Sequence, residues 1–180
     1  MAVLVLGRPA AGKSRVAEAV GRRFGLPVVA KDAVKELLFD ALGTGDRAWS
    51  QRLGRATFDL LDHVIDLQLA GGGPFVVDSA FDAERAGPRF AERARRFDVG
   101  WVQIRCTAPR EVLLRRFAER AATDRHPGHV DGAGLDEFAA SLDTLRREVF
   151  DLPGPVLETD TSIEPTEDLL ARLAPLLRPS

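Results

Sequence analysis

The stretch "AVLVLGRPAAGKSRVAEAV", Ala2–Val20, decides the fold of this 180-residue chain. It joins an apolar run to an amphipathic run through the eight residues "GRPAAGKS", Gly7–Ser14. This spacing matches G-x-x-x-x-G-K-[ST], in which glycines let backbone N–H groups turn inward around an anion at the start of a helix. The flanking runs supply the order strand, loop, helix that the motif requires. The stretch therefore predicts a phosphate-binding loop.

The loop predicts a bound nucleoside triphosphate with magnesium. Lys13 is expected to reach the β- and γ-phosphates, and the Ser14 hydroxyl is expected to bind the magnesium ion. We expect a set of consecutive residues to border the phosphates: Gly7, Arg8, Pro9, Ala10, Ala11, Gly12, Lys13, Ser14 and Arg15.

The bulk composition is that of an ordinary globular protein. Of the residues, 45% are hydrophobic and 29% are charged, and the net charge of −2 gives no global sign of nucleic-acid binding. Only three of the 25 basic residues are lysines, and Cys106 is the single cysteine, which predicts a buried thiol and no internal disulfide. No apolar run approaches the roughly 18 residues of a membrane span, and the N-terminal run lacks the features of a signal peptide. We expect a soluble cytoplasmic protein.

Short continuous apolar runs separated by helical patterns predict a sheet covered on both faces, with mainly parallel strands. The predicted strands are 2–6, 27–29, 74–81, 99–106 and 154–159. Helices are predicted after Lys13, from Asp32, and over 47–70, 109–120, 135–150 and 164–174. The fold class predicted is a single three-layer α/β/α domain over residues 1–180, with a five-stranded, mainly parallel sheet.

The helix over 47–70 has the clearest periodicity. Its apolar residues recur at spacings of three and four and predict the buried stripe Trp49, Leu53, Ala56, Leu60, Val64 and Leu67. The segment 121–135, "AATDRHPGHVDGAGL", loses this pattern and predicts a loop. We expect a lid over about 116–135.

Asp32 follows the second predicted strand in "PVVAKD", at the carboxyl edge where ligands bind in folds of this kind. There it is expected to accept the proton of an acceptor hydroxyl. The alternative is that Asp32 caps the N-terminus of the helix "DAVKELLF".

Asp78 ends the apolar strand in "FVVDSAF" in the manner of a Walker B carboxylate. It is expected to bind magnesium or the acceptor, and the alternative is a structural carboxylate. Ser79 and Asp82 are weaker candidates at the same edge.

The basic residues before and within the predicted lid suit phosphate oxygens. Arg116 and Arg120 are four residues apart and share a helix face, and Arg125 follows in the loop. A solvated basic face is the alternative. For His126 and His129 no third metal ligand is evident, so substrate contact or loop structure is the better interpretation.

Several classes of P-loop protein bind nucleotides. The chain has no Asn-Lys-x-Asp guanine motif, and motor ATPases need a larger core. The segments "GRPAAGKS", "AKDAVKE", "VVDSAF", "PREVLLRRFAER" and "VLETD" together resemble small P-loop kinases of the nucleoside and nucleotide kinase superfamily. Chloramphenicol phosphotransferase, the 5′-kinase domain of polynucleotide kinase and zeta-type toxins are the similar members. The resemblance spans about residues 1–165, and the phosphate-binding loop is its one highly specific motif.

The resemblance implies that Asp32 is the general base and that Arg116, Arg120 and Arg125 grip the phosphates. It also implies that Thr159–Thr161 lies near the adenine. Many members carry a serine where this chain has Lys31. Because of this difference, the resemblance does not identify the acceptor, and Lys31 offers a contact for an anionic substrate.

From these residues we expect a kinase that uses ATP and Mg²⁺ and transfers the γ-phosphoryl group to a hydroxyl of a small molecule, of the antibiotic, nucleoside or sugar class. Lys13, Asp32 and Arg120 are the expected catalytic residues, and Arg52 is expected to join Asp32 and Asp78 at the acceptor. The first alternative is a polynucleotide 5′-kinase, against which the net charge argues. The second is a nucleotide-binding regulator without turnover. The oligomeric state stays open.

Overall fold

The computed structural model describes residues 1–122, 126–129, 134–144 and 147–177. Five strands form one sheet: β1 Ala2–Gly7, β2 Val28–Ala30, β3 Phe75–Asp78, β4 Trp101–Thr107 and β5 Val156–Asp160. Their order is β2-β3-β1-β4-β5, and every neighbouring pair is parallel. The predicted α/β fold with a five-stranded sheet is confirmed, and β1 with its phosphate-binding loop lies at the centre of the sheet.

The part of the chain that the structure describes forms seven α-helices. They are α1 Lys13–Phe24, α2 Lys31–Leu42, α3 Arg47–Gly71, α4 Ala83–Arg96, α5 Arg110–Ala122, α6 Leu135–Leu142 and α7 Thr166–Leu173, and a 3₁₀ turn follows at Ala174–Leu177. The prediction of a helix over 135–150 was too long, because α6 ends at Leu142. None of the helices in the described ranges is long and apolar enough to cross a membrane.

The two faces of the sheet bury different sets of side chains. Leu4 and Leu6 of β1 point to one face and pack in a core with α3 and α4, whereas Val3 and Val5 point to the other face and pack with α1, α5, α6 and α7. This alternation follows from the two-residue period of a strand. Because both faces are covered, the strands read as continuous apolar runs.

The prediction of the buried stripe of α3 was wrong by about one residue. The stripe that the structure buries is Ser50, Leu53, Thr57, Leu61, Ile65 and Leu69. Leu60 and Leu67 are instead 41% and 57% exposed. The polar members of the stripe are satisfied inside the protein, since Thr57 donates to the Leu53 carbonyl at 2.7 Å and Ser50 accepts from Lys35 at 3.0 Å. A prediction from hydrophobicity alone therefore assigned the wrong residues to the buried stripe of α3.

Helix α4 was not predicted, because its sequence "AERAGPRFAERARR" is rich in arginine and contains Pro88. It buries only a narrow face, on which Phe90 is fully buried and Arg93 forms ion pairs with Asp62 and Asp66 of α3. Asp82 begins the helix, with its carboxylate accepting from the N–H groups of Glu84 and Arg85. Asp82, a weak site candidate in the sequence, is thus a helix cap.

Candidate active site

The loop between β1 and α1 is shaped by its glycines. Gly7 has φ 138°, and a Cβ there would lie 2.3 Å from the carbonyl oxygen of Cys106 in β4. Gly12 has φ 79° and begins α1 without a side-chain cap. The first backbone N–H groups of α1 are therefore available to an anion, and the positive end of the helix dipole lies behind them.

Lys13 is the first residue of α1 and is largely buried. Its ammonium donates to the Arg8 carbonyl at 2.8 Å, across the loop. Burial lowers the pKa of Lys13, against the charges of Asp78, Cys106 and Asp32, which raise it. A bound phosphate would place a negative charge next to the ammonium, and this charge would favour the protonated form of Lys13 that burial disfavours.

Arg8 contributes its backbone to the loop but directs its side chain away from it. The guanidinium donates to Glu148 at 2.7 Å and to the carbonyls of Ser141 and Thr144 at 2.6 and 2.8 Å. The side chain therefore connects the loop to the end of α6 and to the segment beyond.

One cleft of about 830 Å³ lies at the carboxyl edge of the sheet. Of the residues expected at the site, those that line it are Pro9, Ala10, Gly12, Lys13, Ser14, Arg15, Asp32, Asp78, Arg116 and Arg120. Gly7, Arg8, Ala11 and Arg52 do not line this cleft. Arg125 lies outside the described residues.

Asp78 ends β3 beside the start of α1. Burial raises its pKa, while a hydrogen bond from Ser14 and the charge of Lys13 lower it and the charge of Asp32 raises it further. Ser14 and Asp78 thus present two oxygen ligands side by side, which suits a hard cation such as Mg²⁺. No cluster of three or more His, Cys, Asp or Glu that would hold a metal occurs in the described ranges. Mg²⁺ at nucleotide sites needs only one or two protein carboxylates, because phosphates and water complete its shell.

The Ser79 hydroxyl, next along the chain, is buried and has no hydrogen-bond partner among the described residues. Ser79 lines the same cleft. A buried hydroxyl without a partner is unusual enough to indicate a site that a ligand or water completes.

Asp32 lies in the first turn of α2 and does not cap it. The cap position is Ala30, which has no side-chain hydrogen bond, so the alternative of an N-cap aspartate was wrong. The Asp32 carboxylate accepts from Arg120 of α5 at 3.0 Å and from Lys31 at 3.4 Å. Burial acts to raise the pKa of Asp32, but the charges of Lys31, Arg120 and His129 and the Arg120 hydrogen bond outweigh it and lower this pKa to about 2.

Arg116 connects α5 to the segment after β5. Its guanidinium donates to the Thr161 hydroxyl at 2.8 Å and to the Thr161 carbonyl at 3.0 Å. The Thr161 hydroxyl lies 3.1 Å from the Ala11 carbonyl, to which it donates. Thr159 and Thr161 are both buried, so the segment expected near the adenine packs directly behind the phosphate-binding loop.

Arg52 and Trp49 lie on a different face of α3 from the cleft. The Arg52 guanidinium lies 5.0 Å from the centroid of the Trp49 ring, and the Trp49 indole donates to the Gly43 carbonyl at 2.9 Å. The structure thus separates Arg52 from Asp32 and Asp78, with which the sequence had grouped it.

The expected place of the acceptor, among Asp32, the helices of residues 33–60 and Asp78, includes a wall of the cleft whose lining residues were not named from the sequence. This wall consists of Lys35 on α2 and of Arg47, Ser50, Gln51 and Gly54 on α3. The four α3 positions are spaced i, i+3, i+4 and i+7, which is one helix face. That spacing of polar and small residues was the available signal, and the leucines on the neighbouring face obscured it.

His126 and His129 contact α2. Their Nε2 atoms lie 3.1 Å from the Asp40 carboxylate and 2.9 Å from the Glu36 carboxylate, and both rings pack against Phe39. Of the two earlier interpretations, these contacts support loop structure, although His129 also lines the cleft. Cys106 is buried in β4, and burial raises the pKa of its thiol to about 12.

Comparisons with known proteins show the family and the fold of this chain. A family model described as an AAA domain matches residues 3–173, so the chain belongs to this AAA-domain family. A protein of Chloroflexus aurantiacus J-10-fl, described as a proposed kinase, is 29% identical with a TM-score of 0.88, covering 98% of this chain and 97% of that one. No protein with a curated description matches the chain.

More distant structures share the fold. A gluconokinase of Sinorhizobium meliloti 1021 is 20% identical with a TM-score of 0.59, covering 98% of this chain and 94% of that one. A shikimate kinase of Aquifex aeolicus VF5 is 17% identical with a TM-score of 0.52, covering 98% of this chain and 96% of that one. Family and fold place the chain in the nucleoside and nucleotide kinase superfamily of P-loop proteins.

Proposed function

We propose that this AAA-domain protein is an ATP- and Mg²⁺-dependent kinase that transfers the γ-phosphoryl group to a hydroxyl of a small molecule. The observation that carries the proposal is the shared cleft. It is lined by the phosphate-binding loop, by Asp32 and Asp78, which suit an acceptor and a metal, and by Arg116 and Arg120 of α5. In phosphoryl transfer, positioning and electrostatic stabilisation supply most of the rate, and these are the groups that supply both.

The donor half of the cleft is built around Lys13. The N–H groups at the start of α1 would hold the phosphates, and the Lys13 ammonium would move from the Arg8 carbonyl to the β- and γ-phosphate oxygens. Arg15 and Arg116 line the same cleft and add positive charge. These groups offset the charge on the phosphate oxygens in the transition state.

Ser14 and Asp78 are the residues that would hold Mg²⁺. The ion neutralises phosphate charge when it is bound. Before binding, burial keeps the pKa of Asp78 raised, and the Ser14 hydroxyl orients the carboxylate by hydrogen bonding to it. A bound cation would lower the pKa of Asp78 again, so the carboxylate would remain ionised beside it.

Asp32 is the proposed base. In the arrangement described, Arg120 and Lys31 hold its pKa near 2, which makes it a weak proton acceptor. Transfer of the Arg120 guanidinium from Asp32 to the phosphates would remove one of these partners and raise the pKa of Asp32. Nucleotide binding and activation of the base are coupled in this scheme through one side chain.

The test is a screen of hydroxyl-bearing metabolites, nucleosides and antibiotics with ATP and Mg²⁺, detecting ADP release and the phosphorylated product by mass spectrometry. We expect product with at least one acceptor and a loss of about 10³-fold in Lys13→Ala, as for removal of a transition-state charge. Near wild-type transfer by Lys13→Ala would overturn the proposal. Tight ATP binding in calorimetry without transfer to any acceptor would identify a nucleotide-binding regulator instead.

A further inference from the structure

Ser79 carries a buried hydroxyl at the carboxyl edge of the sheet. Its side chain is 3% exposed and its hydroxyl oxygen is covered, yet no residue that the structure describes forms a hydrogen bond with it. Burial of a hydroxyl without a hydrogen bond costs free energy, because the group loses its contacts with water and gains none in return. A ligand that hydrogen-bonds Ser79 would remove this cost.

The fold satisfies buried hydroxyls elsewhere. Three other buried residues form hydrogen bonds through their hydroxyls within the protein: Ser50, Thr57 and Thr161. Thr57 is fully buried in α3 and donates to the Leu53 carbonyl at 2.7 Å. Ser79, by contrast, lines the cleft of about 830 Å³ that holds the phosphate-binding loop. The unsatisfied hydroxyl therefore lies at the site where a ligand is expected.

The alternation of side chains places Ser79 on the α3 side of the sheet. Val77 packs in the core that α3 covers, and Phe81 packs against Phe58 of α3 with ring centroids 6.1 Å apart. Ser79 lies midway between Val77 and Phe81 and shares their two-residue period, whereas Asp78 points to the α1 side. Ser79 thus lies across β3 from the residues that would hold the metal and the phosphates.

Asp32, the proposed base, leaves the neighbouring strand at the same edge. The register pairs Ala30 of β2 with Asp78 of β3, so Asp32 comes two residues and Ser79 one residue beyond this pair. Neighbouring strands lie about 4.8 Å apart, which is within the span of one small molecule. Asp32 and Ser79 both line the cleft. A single acceptor is therefore able to contact both.

The chemistry of a serine hydroxyl indicates the group that it binds. The hydroxyl is neutral, and it both donates and accepts hydrogen bonds. A hydroxyl of a ligand has the same two capacities and no charge to be desolvated. Gln51 of α3, whose amide also donates and accepts, lines the same cleft.

We propose that Ser79 binds the acceptor, and that the acceptor is a polyol, a sugar or a nucleoside with a second hydroxyl near the one that reacts. The second hydroxyl hydrogen-bonds Ser79, whose side chain turns toward the cleft by rotation about its Cα–Cβ bond. The reacting hydroxyl faces Asp32. This inference rests on the proposed function and names a residue and a substrate class for the same site.

The first experiment compares stability with activity in Ser79→Ala. Because no described residue hydrogen-bonds the wild-type hydroxyl, we expect the Tm of the variant to be unchanged or higher. The kcat/KM for the acceptor should fall at least tenfold, while the Kd for a non-hydrolysable ATP analogue with Mg²⁺ changes less than threefold. A lower Tm would show that the hydroxyl supports the fold and would contradict the inference. A tenfold weaker affinity for the nucleotide would place Ser79 at the donor site instead.

Two further variants are matched controls. Thr57→Val removes a buried hydroxyl that has a partner and lies outside the residues lining the cleft, and it should leave kcat/KM unchanged. Ser79→Cys keeps the size of the side chain but forms only weak hydrogen bonds, so it should be as poor as Ser79→Ala. Full activity of Ser79→Cys would show that the residue only fills space and would overturn the inference.

The second experiment tests the contact with the acceptor directly. Ribose, glucose and adenosine are each compared with their monodeoxy analogues as acceptors. In the wild type, at least one monodeoxy analogue should have a kcat/KM at least tenfold below that of its parent. This ratio should fall below threefold in Ser79→Ala, since the two changes remove the same hydrogen bond. The same ratio in both proteins would show that Ser79 does not bind that hydroxyl.

Calorimetric titration separates this inference from the proposed function. The same compounds are titrated into the protein with Mg²⁺ and the ATP analogue. Binding that weakens at least tenfold in Ser79→Ala, without any transfer, would support the Ser79 site and overturn the kinase assignment. Equal transfer by wild type and Ser79→Ala would overturn the inference and leave the kinase intact. Neither binding nor transfer of any of these compounds would overturn the substrate class.

Discussion

Clusters of arginine or lysine occur in two regions, the interface between α3 and α4 and the cleft. The two regions differ in whether carboxylates pair with these basic side chains. At the interface, Arg93 lies 3.0 Å from Asp62 and 2.6 Å from Asp66, and Arg89 also pairs with Asp62. The Arg93 side chain is only 9% exposed and has a carboxylate on each side. In the cleft, the lining residues that the structure describes include seven basic side chains and three carboxylates.

The difference separates a structural use of charge from a binding use. Matched pairs satisfy one another and connect two helices, so removing one member leaves a buried charge behind. An excess of one sign inside a concave site focuses an electric field that attracts a ligand of the opposite sign. The comparison predicts that changes in the cleft alter transfer and leave the fold intact, whereas changes at the α3–α4 interface do the opposite.

The largest effect is expected from Asp32→Asn. Transfer should fall by about 10²–10⁴-fold, the usual contribution of general base catalysis, while the affinity for ATP stays unchanged. Steady-state kinetics and nucleotide titration check this. Unchanged transfer would show that Asp32 is not the general base. It would also contradict the expectation that changes in the cleft alter transfer.

Arg120→Gln should reduce transfer by about 10²-fold, because it removes one donor to the transition-state charge. Its stability should change by less than about 1 kcal/mol, since the pair with Asp32 is partly exposed. Denaturant unfolding and kinetics are measured on the same preparation. A large loss of stability with normal transfer would make Arg120 a structural residue like Arg93.

Arg93→Ala tests the other side of the comparison. The free energy of unfolding should fall by about 3 kcal/mol, because Asp62 and Asp66 lose a buried partner. Arg96→Ala is the control, since Arg96 is 65% exposed and lies 3.9 Å from Asp66, and about 0–1 kcal/mol is expected there. Urea unfolding measures both, and kcat should not change in either. Similar losses of unfolding free energy in Arg93→Ala and Arg96→Ala would show that burial of the arginine does not set its contribution to stability.

The smallest effect concerns acid stability. The pKa of Asp32 is about 2 in the folded chain, below its ordinary value of 3.8, so its ion pairs stabilise the fold above about pH 4. This contribution is lost as the pH falls through about 2. Unfolding free energies between pH 5 and 2 should fall less steeply in Asp32→Asn than in wild type or in Asp59→Asn, an exposed control on α3. Identical slopes in all three would show that Asp32 is not held by these partners.

The contrast between the two regions also marks where sequence reasoning failed. The glycine spacing of Gly7–Ser14 predicts a backbone conformation directly, and the apolar runs predict all five strands to within a few residues. The stripe of α3 was misplaced, because Ser50 and Thr57 face inward with partners supplied by Lys35 and Leu53. Helix α4 was missed, because its inward face uses Arg93, whose carboxylate partners are remote in sequence.

The α/β order of elements and the phosphate-binding loop follow from the amino-acid sequence alone, since both depend on local periodicity and on residues adjacent in the chain. The sequence also places Asp32 and Asp78 at strand ends, where a parallel sheet brings them to one edge. Three features could not be read from the sequence: Arg120 contacts Asp32 across 88 positions, Arg52 lies away from the cleft, and all three lysines line the cleft. The reason is physical: helix packing sets which face of α2, α3 and α5 points inward, and that choice depends on partners distant in the chain.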